Sequence, residues 1–224
     1  MKSQSIITDS PITSEKSTLA TNLQDVATPA RDYRKEMMFA KPKLIIVDSP
    51  IGSGKSTLTS KLREVMLNTT LIRESSIEND TAEASYVYHR NIYSLINANI
   101  GLGCSFVLDR CHLSQYVYSQ MGLKDHDYTE EFKELNGALH ELGKEYDLHY
   151  ICLIVDPKVG AKRIAQRKKA EYVTHDEDMI SNQASAYLEA VQHLFLIPTV
   201  KVHVINTTNT SAEQVFEQVM KYIG

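Results

Sequence analysis

Lys43-Leu44-Ile45-Ile46-Val47-Asp48-Ser49-Pro50-Ile51-Gly52-Ser53-Gly54-Lys55-Ser56-Thr57 joins an apolar run to a glycine-bearing turn and then to a helix-like segment. A strand, a turn and a helix in this order, ending in Gly-Lys-Ser, make the layout of a phosphate-binding P-loop. Its glycines let successive backbone N–H groups face one concavity, where an anion meets the positive end of a helix. Lys55 then reaches the β- and γ-phosphates of ATP, and the Ser56 hydroxyl, with Thr57 beside it, faces Mg²⁺. Ser49 stands where the first glycine of G-x-x-x-x-G-K-[ST] belongs, and serine is itself a competent turn residue. The expected ATP-binding stretch is therefore Ser49, Pro50, Ile51, Gly52, Ser53, Gly54, Lys55, Ser56 and Thr57.

Outward from this loop, short apolar runs alternate with longer helical patterns. Strands are expected at 43–48, 69–73, 104–109, 148–155 and 200–205. Helices are expected at 55–67, 81–100, 112–121, 128–145, 157–170, 178–194 and 211–222. Such alternation implies an α/β fold, a five-stranded parallel sheet with helices on both faces. Ligands of such sheets bind beyond the carboxyl ends of the strands. Residues 1–40 differ: the first 30 are rich in Ser and Thr and carry Pro11 and Pro29 without a periodic apolar face. They read as a disordered or loosely attached extension before a domain over 41–224. They lack the apolar core of a secretory signal, and Asp9, Glu15 and Asp25 argue against an organellar transit peptide.

The chain has 224 residues, 42% of them apolar, and a net charge of −4. That balance gives no broad attraction to nucleic acid. No apolar run approaches the roughly 18 residues needed to cross a bilayer, so no membrane partner is expected. Cys104, Cys111 and Cys152 lack metal-ligand spacing; Cys104 and Cys152, in apparent strands, read as inert core thiols in a reducing, cytoplasmic setting. Eight histidines show no H-E-x-x-H pattern.

Chemistry should cluster just after residues 48, 73 and 109. Arg73 and Glu74 follow the second strand, and Asp109-Arg110 ends the third, with Ser114 and Tyr118 downstream. A carboxylate ending a strand beside a P-loop can hold Mg²⁺, and Arg110 offers a planar fork for phosphate. The other reading of Asp109-Arg110 is a structural ion pair. Arg163 and Arg167 are four apart, on one helix face. They read either as cations over a transferring phosphoryl group or as a solvated basic helix end. Tyr86, Tyr88, His89, Arg90 and Tyr93 suit base stacking and donation to a base carbonyl, or simply helix packing.

These motifs resemble the thymidylate kinase and deoxynucleoside kinase group of P-loop kinases over roughly residues 43–194. Asp109-Arg110, Ser114 and Tyr118 are similar to that group's D-R-[YH] run, and Arg73-Glu74 echoes its R-E-P-G motif, with Ser75 and Ser76 in place of Pro-Gly. The resemblance implies a Mg²⁺- and ATP-dependent kinase with Lys55, Glu74, Asp109, Arg110, Arg163 and Arg167 as catalytic groups. It implies an acceptor site of Arg73, Glu74, Tyr88, Arg90, Arg110, Ser114 and Tyr118, metal held by Ser56 and Asp109, and a lid near 167–177. It further implies small nucleotide substrates and a homodimer. Thymidylate kinases carry Asp where Ile51 stands, and here the loop is more similar to deoxynucleoside kinases, in which a carboxylate such as Glu74 accepts the proton of the sugar 5′-hydroxyl. Having two arginines beside Glu74 favours a monophosphate acceptor, dTMP before the alternatives, since phosphate oxygen needs positioning rather than deprotonation. A nucleoside acceptor is the runner-up. A regulatory P-loop ATPase and an inactive kinase-like module are further alternatives, disfavoured by the missing N-K-x-D motif and by the retained Lys55, Ser56, Asp109 and Arg110.

Overall fold

The computed structural model describes residues 41–74, 80–166 and 176–224. The expected extension over 1–40, Ser75 and Ser76, Arg167, and the expected lid before residue 176 lie outside the described residues. Five strands alternate with helices: β1 (Lys43–Asp48), α1 (Lys55–Val65), β2 (Thr69–Arg73), α2 (Ala82–Ala98), β3 (Ser105–Asp109), α3 (His112–Gln120) and α4 (Thr129–Glu145), then β4 (Asp147–Ile154), α5 (Pro157–Gln166), α6 (Glu177–Phe195), β5 (Val200–Asn206) and α7 (Ala212–Ile223). The sheet is parallel in the order β2-β3-β1-β4-β5. The α/β architecture read from the alternating pattern is the one observed. Boundaries move slightly: β3 starts at Ser105, after Gly103 turns with φ +64°, so Cys104 sits half-buried ahead of the strand. The strand β4 runs 147–154 and β5 reaches Asn206.

Both faces of the sheet are covered because side chains alternate along each strand. On β1, Leu44 and Ile46 enter a core with Tyr93 and Ile96 of α2, Leu113 and Val117 of α3, Leu135 and Leu139 of α4, and Tyr187 and Val191 of α6. Ile45 and Val47 point the other way, to Leu58 and Leu62 of α1 and Val215 and Val219 of α7. Helix starts are fixed by side chains that accept orphan N–H groups: Thr81 from Ala84, Asp176 from Met179, and a reciprocal Ser211–Gln214 box at α7. Chain direction splits at β1, with β3 and β2 on one side and β4 and β5 on the other. The crevice at such a split is where ligands of this architecture sit.

One polar joint ties the helical layer together. His112 is fully buried; its Nε2 faces Asn136 Oδ1 at 2.9 Å and its Nδ1 faces Tyr93 Oη at 2.5 Å. The Asn oxygen only accepts, so Nε2 carries the proton and Tyr93 donates to Nδ1. Burial pushes this imidazole down to about 3, against a small upward pull from Asn136, with the nearby His89 also lowering it. Because the folded value lies below the usual 6.5, this neutral histidine contributes stability above pH 6.5 that is lost as pH falls toward 3. Urea unfolding should lose about 1.4 kcal/mol per pH unit through His112 between roughly pH 6 and 4, and little above pH 6.5. His112→Gln should be less stable at pH 7 and show a correspondingly flatter slope; an unchanged slope would remove His112 from the acid response.

Candidate active site

The loop between β1 and α1 is shaped by two glycines that no other residue replaces easily. Gly52 has φ +85°, and a Cβ there would lie 2.9 Å from the Gly160 carbonyl oxygen of α5. Gly54 has φ +101° and caps α1. Ser49 N–H bonds the Asp48 carboxylate at 2.9 Å, and Ile51 N–H bonds Gln183 Oε1 of α6 at 3.0 Å. The N–H groups of Gly52 through Ser56 have no acceptor among the described residues. They leave a nest of donors at the N-terminus of α1, the arrangement that binds phosphate. Ile51 itself turns into a small apolar cluster with Val155, Ile164 and Ile180.

Two cavities flank this loop. One, of about 250 Å³, is lined by Ser49 to Ser53, Lys55, Ser56, Arg73, Glu74, Asp109 and Arg110. The other, of about 480 Å³, is lined by Gly52 to Gly54, Thr57, Leu58, Arg163 and Thr207, with the start of α7. The groups expected after residues 48, 73 and 109 therefore do converge, because β1, β2 and β3 are neighbours and end at the same edge.

Within the smaller cavity, Lys55 Nζ pairs with Asp109 Oδ1, and Thr59 Oγ1 donates to Asp109 Oδ2 at 3.3 Å. Burial, then the charge of Arg110, pulls the Lys55 ammonium below the usual lysine range, with Asp109 opposing. Arg73 bonds Ser60 Oγ at 3.0 Å and lies 4.0 Å from Asp109. Glu74 Oε1 accepts from Gln115 Nε2 at 2.7 Å, while its Oε2 is 3.9 Å from Arg110 Nε. Burial alone would raise the Glu74 carboxyl; His89, Arg110 and Gln115 outweigh it and hold it below the usual range.

Arg110 is the centre of the network. Its NH1 donates to Tyr118 Oη at 2.6 Å, Tyr187 Oη at 3.0 Å and Ser114 Oγ at 3.3 Å, and its guanidinium lies over the Tyr118 ring. Its backbone is left-handed, φ +82°, anchored by N–H to Val47 O at 3.0 Å. Such a torsion costs a non-glycine residue about 1–3 kcal/mol and is kept only where surroundings impose it. Behind it sits Asp48, fully buried, accepting Ser114 Oγ at 2.7 and 2.9 Å.

Other expected residues are placed elsewhere. Arg90 bonds Tyr86 Oη and, at 2.8 Å, Glu134, and these line a groove of about 510 Å³ between α2 and α4 that shares no residue with the P-loop cavities. Tyr88 Oη meets the Arg73 carbonyl at 3.5 Å. Arg163 grips the backbone and hydroxyl of Thr207 at 2.8 and 3.2 Å, and Thr207 in turn bonds the Ser53 carbonyl at 3.0 Å. Sequence reading missed Asp48, Gln115, Tyr187 and Gln183 as parts of this site. A polar residue within the buried stripe Ile180, Gln183, Tyr187, Val191 of α6 was the signal available for Gln183.

The thymidylate kinase family model matches residues 53–219. The chain belongs to the thymidylate kinase family. It is accordingly a nucleotide kinase that uses ATP as phosphoryl donor. No curated protein matches it in sequence. Among solved structures it is similar to thymidylate kinase from Candida albicans, at 18% identity and TM-score 0.54, covering 82% of this chain and 91% of that one. It is also similar to deoxyadenosine kinase from M. mycoides with bound dCTP, at 19% identity and TM-score 0.52, covering 80% and 98%. At these identities the likeness to both is one of fold. Among the described residues no helix is long and apolar enough to cross a membrane.

Two substitutions test the loop. Gly52→Ala combines a left-handed torsion with a backbone collision and should weaken ATP binding by more than tenfold in calorimetry. Gln183→Leu keeps volume but orphans the Ile51 N–H, a loss of about 1–3 kcal/mol. It should raise the KM for ATP while leaving the acceptor KM near its original value.

Proposed function

We propose that this kinase transfers the γ-phosphoryl group of ATP to a deoxynucleoside monophosphate, dTMP foremost. The observation that carries this reading is the meeting of Lys55, Arg73, Glu74, Asp109 and Arg110 around one cavity beside the P-loop. Two arginines in addition to the ATP-facing lysine suit an acceptor that brings about two further negative charges.

In this reading the donors of Gly52 to Ser56 cradle the ATP phosphates, and Lys55 leaves Asp109 to follow charge on the β- and γ-phosphates. Arg110 presents its fork to the acceptor phosphate, held in aim by Ser114, Tyr118 and Tyr187, and Arg73 supports it from β2. Arg163 joins the donor side through Thr207, and Arg167, outside the described residues, is the further cation of the lid. Arg90 bonds Tyr86 and Glu134, and Tyr88 Oη bonds the Arg73 carbonyl beside the acceptor side. The hard oxygens of Ser56 and Asp109 line the same cavity and suit Mg²⁺. Those two residues would hold it, and when bound it neutralises phosphate charge. The family resemblance also supports a cytoplasmic homodimer, and exposed Val87 and Leu95 on α2 give apolar surface for such a contact.

A second reading, a nucleoside acceptor, is favoured by one observation: Glu74 is an ionised, anchored carboxylate able to take a hydroxyl proton. Steady-state assays with ATP decide between them. With a monophosphate acceptor, dTMP should far exceed thymidine, and Arg110→Ala should cut kcat/KM for dTMP by about tenfold to a hundredfold. Glu74→Gln should then cost only about tenfold, since its role is to steady Arg110. A loss of about 10²–10⁴ in Glu74→Gln, with nucleosides phosphorylated faster than their monophosphates, would replace the first reading by the second.

A further inference from the structure

We propose that His89 is a positioning residue that holds Glu74 Oε1 and thereby turns Oε2 toward the acceptor. This inference rests on the reading that Glu74 serves the acceptor, and it applies whether that acceptor is a nucleotide or a nucleoside.

His89 projects from α2 and is 2% exposed. Its Nδ1 lies 2.8 Å from the Ser85 carbonyl oxygen, which can only accept, so Nδ1 carries a proton. The remaining nitrogen, Nε2, lies 3.5 Å from Glu74 Oε1 and has no other hydrogen-bond partner among the described residues. A neutral imidazole would aim the Nε2 lone pair at a carboxylate, with both groups out of water. That arrangement is repulsive, so a proton lies between them. The ring is kept in place by Tyr88, edge-on at 5.1 Å, and by His112, at 6.3 Å.

The two oxygens of Glu74 are therefore unequal. Oε1 is held from behind by His89 of α2 and Gln115 of α3. Oε2 is left on the side of Arg110, in the cavity shared with Lys55 and Asp109. A carboxylate gripped through one oxygen cannot swing, and its other oxygen meets the acceptor or Arg110 in one geometry. Restricting that motion before substrate arrives is how positioning contributes to rate.

The isosteres of histidine separate positioning from packing. Asparagine places its amide near the Nδ1 position and can keep the Ser85 contact while losing Glu74. Glutamine reaches the Nε2 position and can restore a donor to Oε1. With saturating ATP and either dTMP or thymidine as acceptor, His89→Asn should lower kcat/KM by about fivefold, with the KM for ATP unchanged. His89→Gln should recover to within about twofold of the original. In a Glu74→Gln background, His89→Asn should cost less than twofold more, because the group it positions is gone. An equal loss in both backgrounds, or no recovery in a folded His89→Gln protein, overturns the proposal. Should His89→Asn fail to fold by circular dichroism, His89→Met against His89→Gln reads the same coupling. If Glu74→Gln leaves every acceptor's turnover unchanged, the role of Glu74 falls and this inference with it. If Glu74→Gln impairs turnover and His89→Asn does not, only the inference falls.

Discussion

A carboxylate buried at the end of the central strand holds the working edge of this sheet together. Asp48 is fully enclosed and accepts from Ser49 N–H and from the one Ser114 hydroxyl, which lies within reach of both carboxylate oxygens, with Arg110 NH1 at 3.9 Å. Burial pushes its carboxyl upward, while Arg110, Ser114 and Lys55 pull it back. A charge in this position is tolerable only while those partners stay in place. The constraint runs both ways, since the same partners fix the first P-loop residue, the start of α3 and the Arg110 guanidinium in the cavity beside the loop. The P-loop and the acceptor side are thus not separate modules but two branches from one buried group.

The same economy appears on the donor side. Gly52 lies against Gly160 with no room for a Cβ, Ile51 packs against an apolar cluster of α5 and α6, and Gln183 takes the Ile51 amide, which the nest does not use. A carboxylate at position 51 would have to enter an apolar cluster, which explains physically why isoleucine suits this loop. Thr207 closes the loop from β5 and recruits Arg163 in doing so.

The fold was legible because its signals are local. The apolar run 44–47, the glycines at 52 and 54, and the spacing of strands and helices are each readable within a short window. Glu74, Asp109 and Arg110, at strand ends, were legible for the same reason, since a parallel sheet brings its carboxyl ends to one edge, and Lys55 was legible from the Gly-Lys-Ser that opens α1. What escaped were partners supplied across the fold. Tyr187 and Gln183 come from a helix more than seventy residues beyond Arg110 in the chain, and their helical spacing alone reads as packing. Arg90, read from sequence as a donor to a base or as helix packing, meets Glu134 of α4, a partner 44 residues away that no local pattern announces.

The left-handed backbone at Arg110 sets local strain against the charge that its side chain supplies. Glycine would occupy that torsion without strain, gaining roughly a kilocalorie per mole in the backbone, yet would delete the guanidinium. It would also leave the buried Asp48 and Glu74 carboxylates without their nearest guanidinium, a larger loss than the backbone gain. Position 110 is thus one place where the residue best for the backbone and the residue best for the buried charges differ, and stabilising substitutions are better sought in the helices of the outer layer.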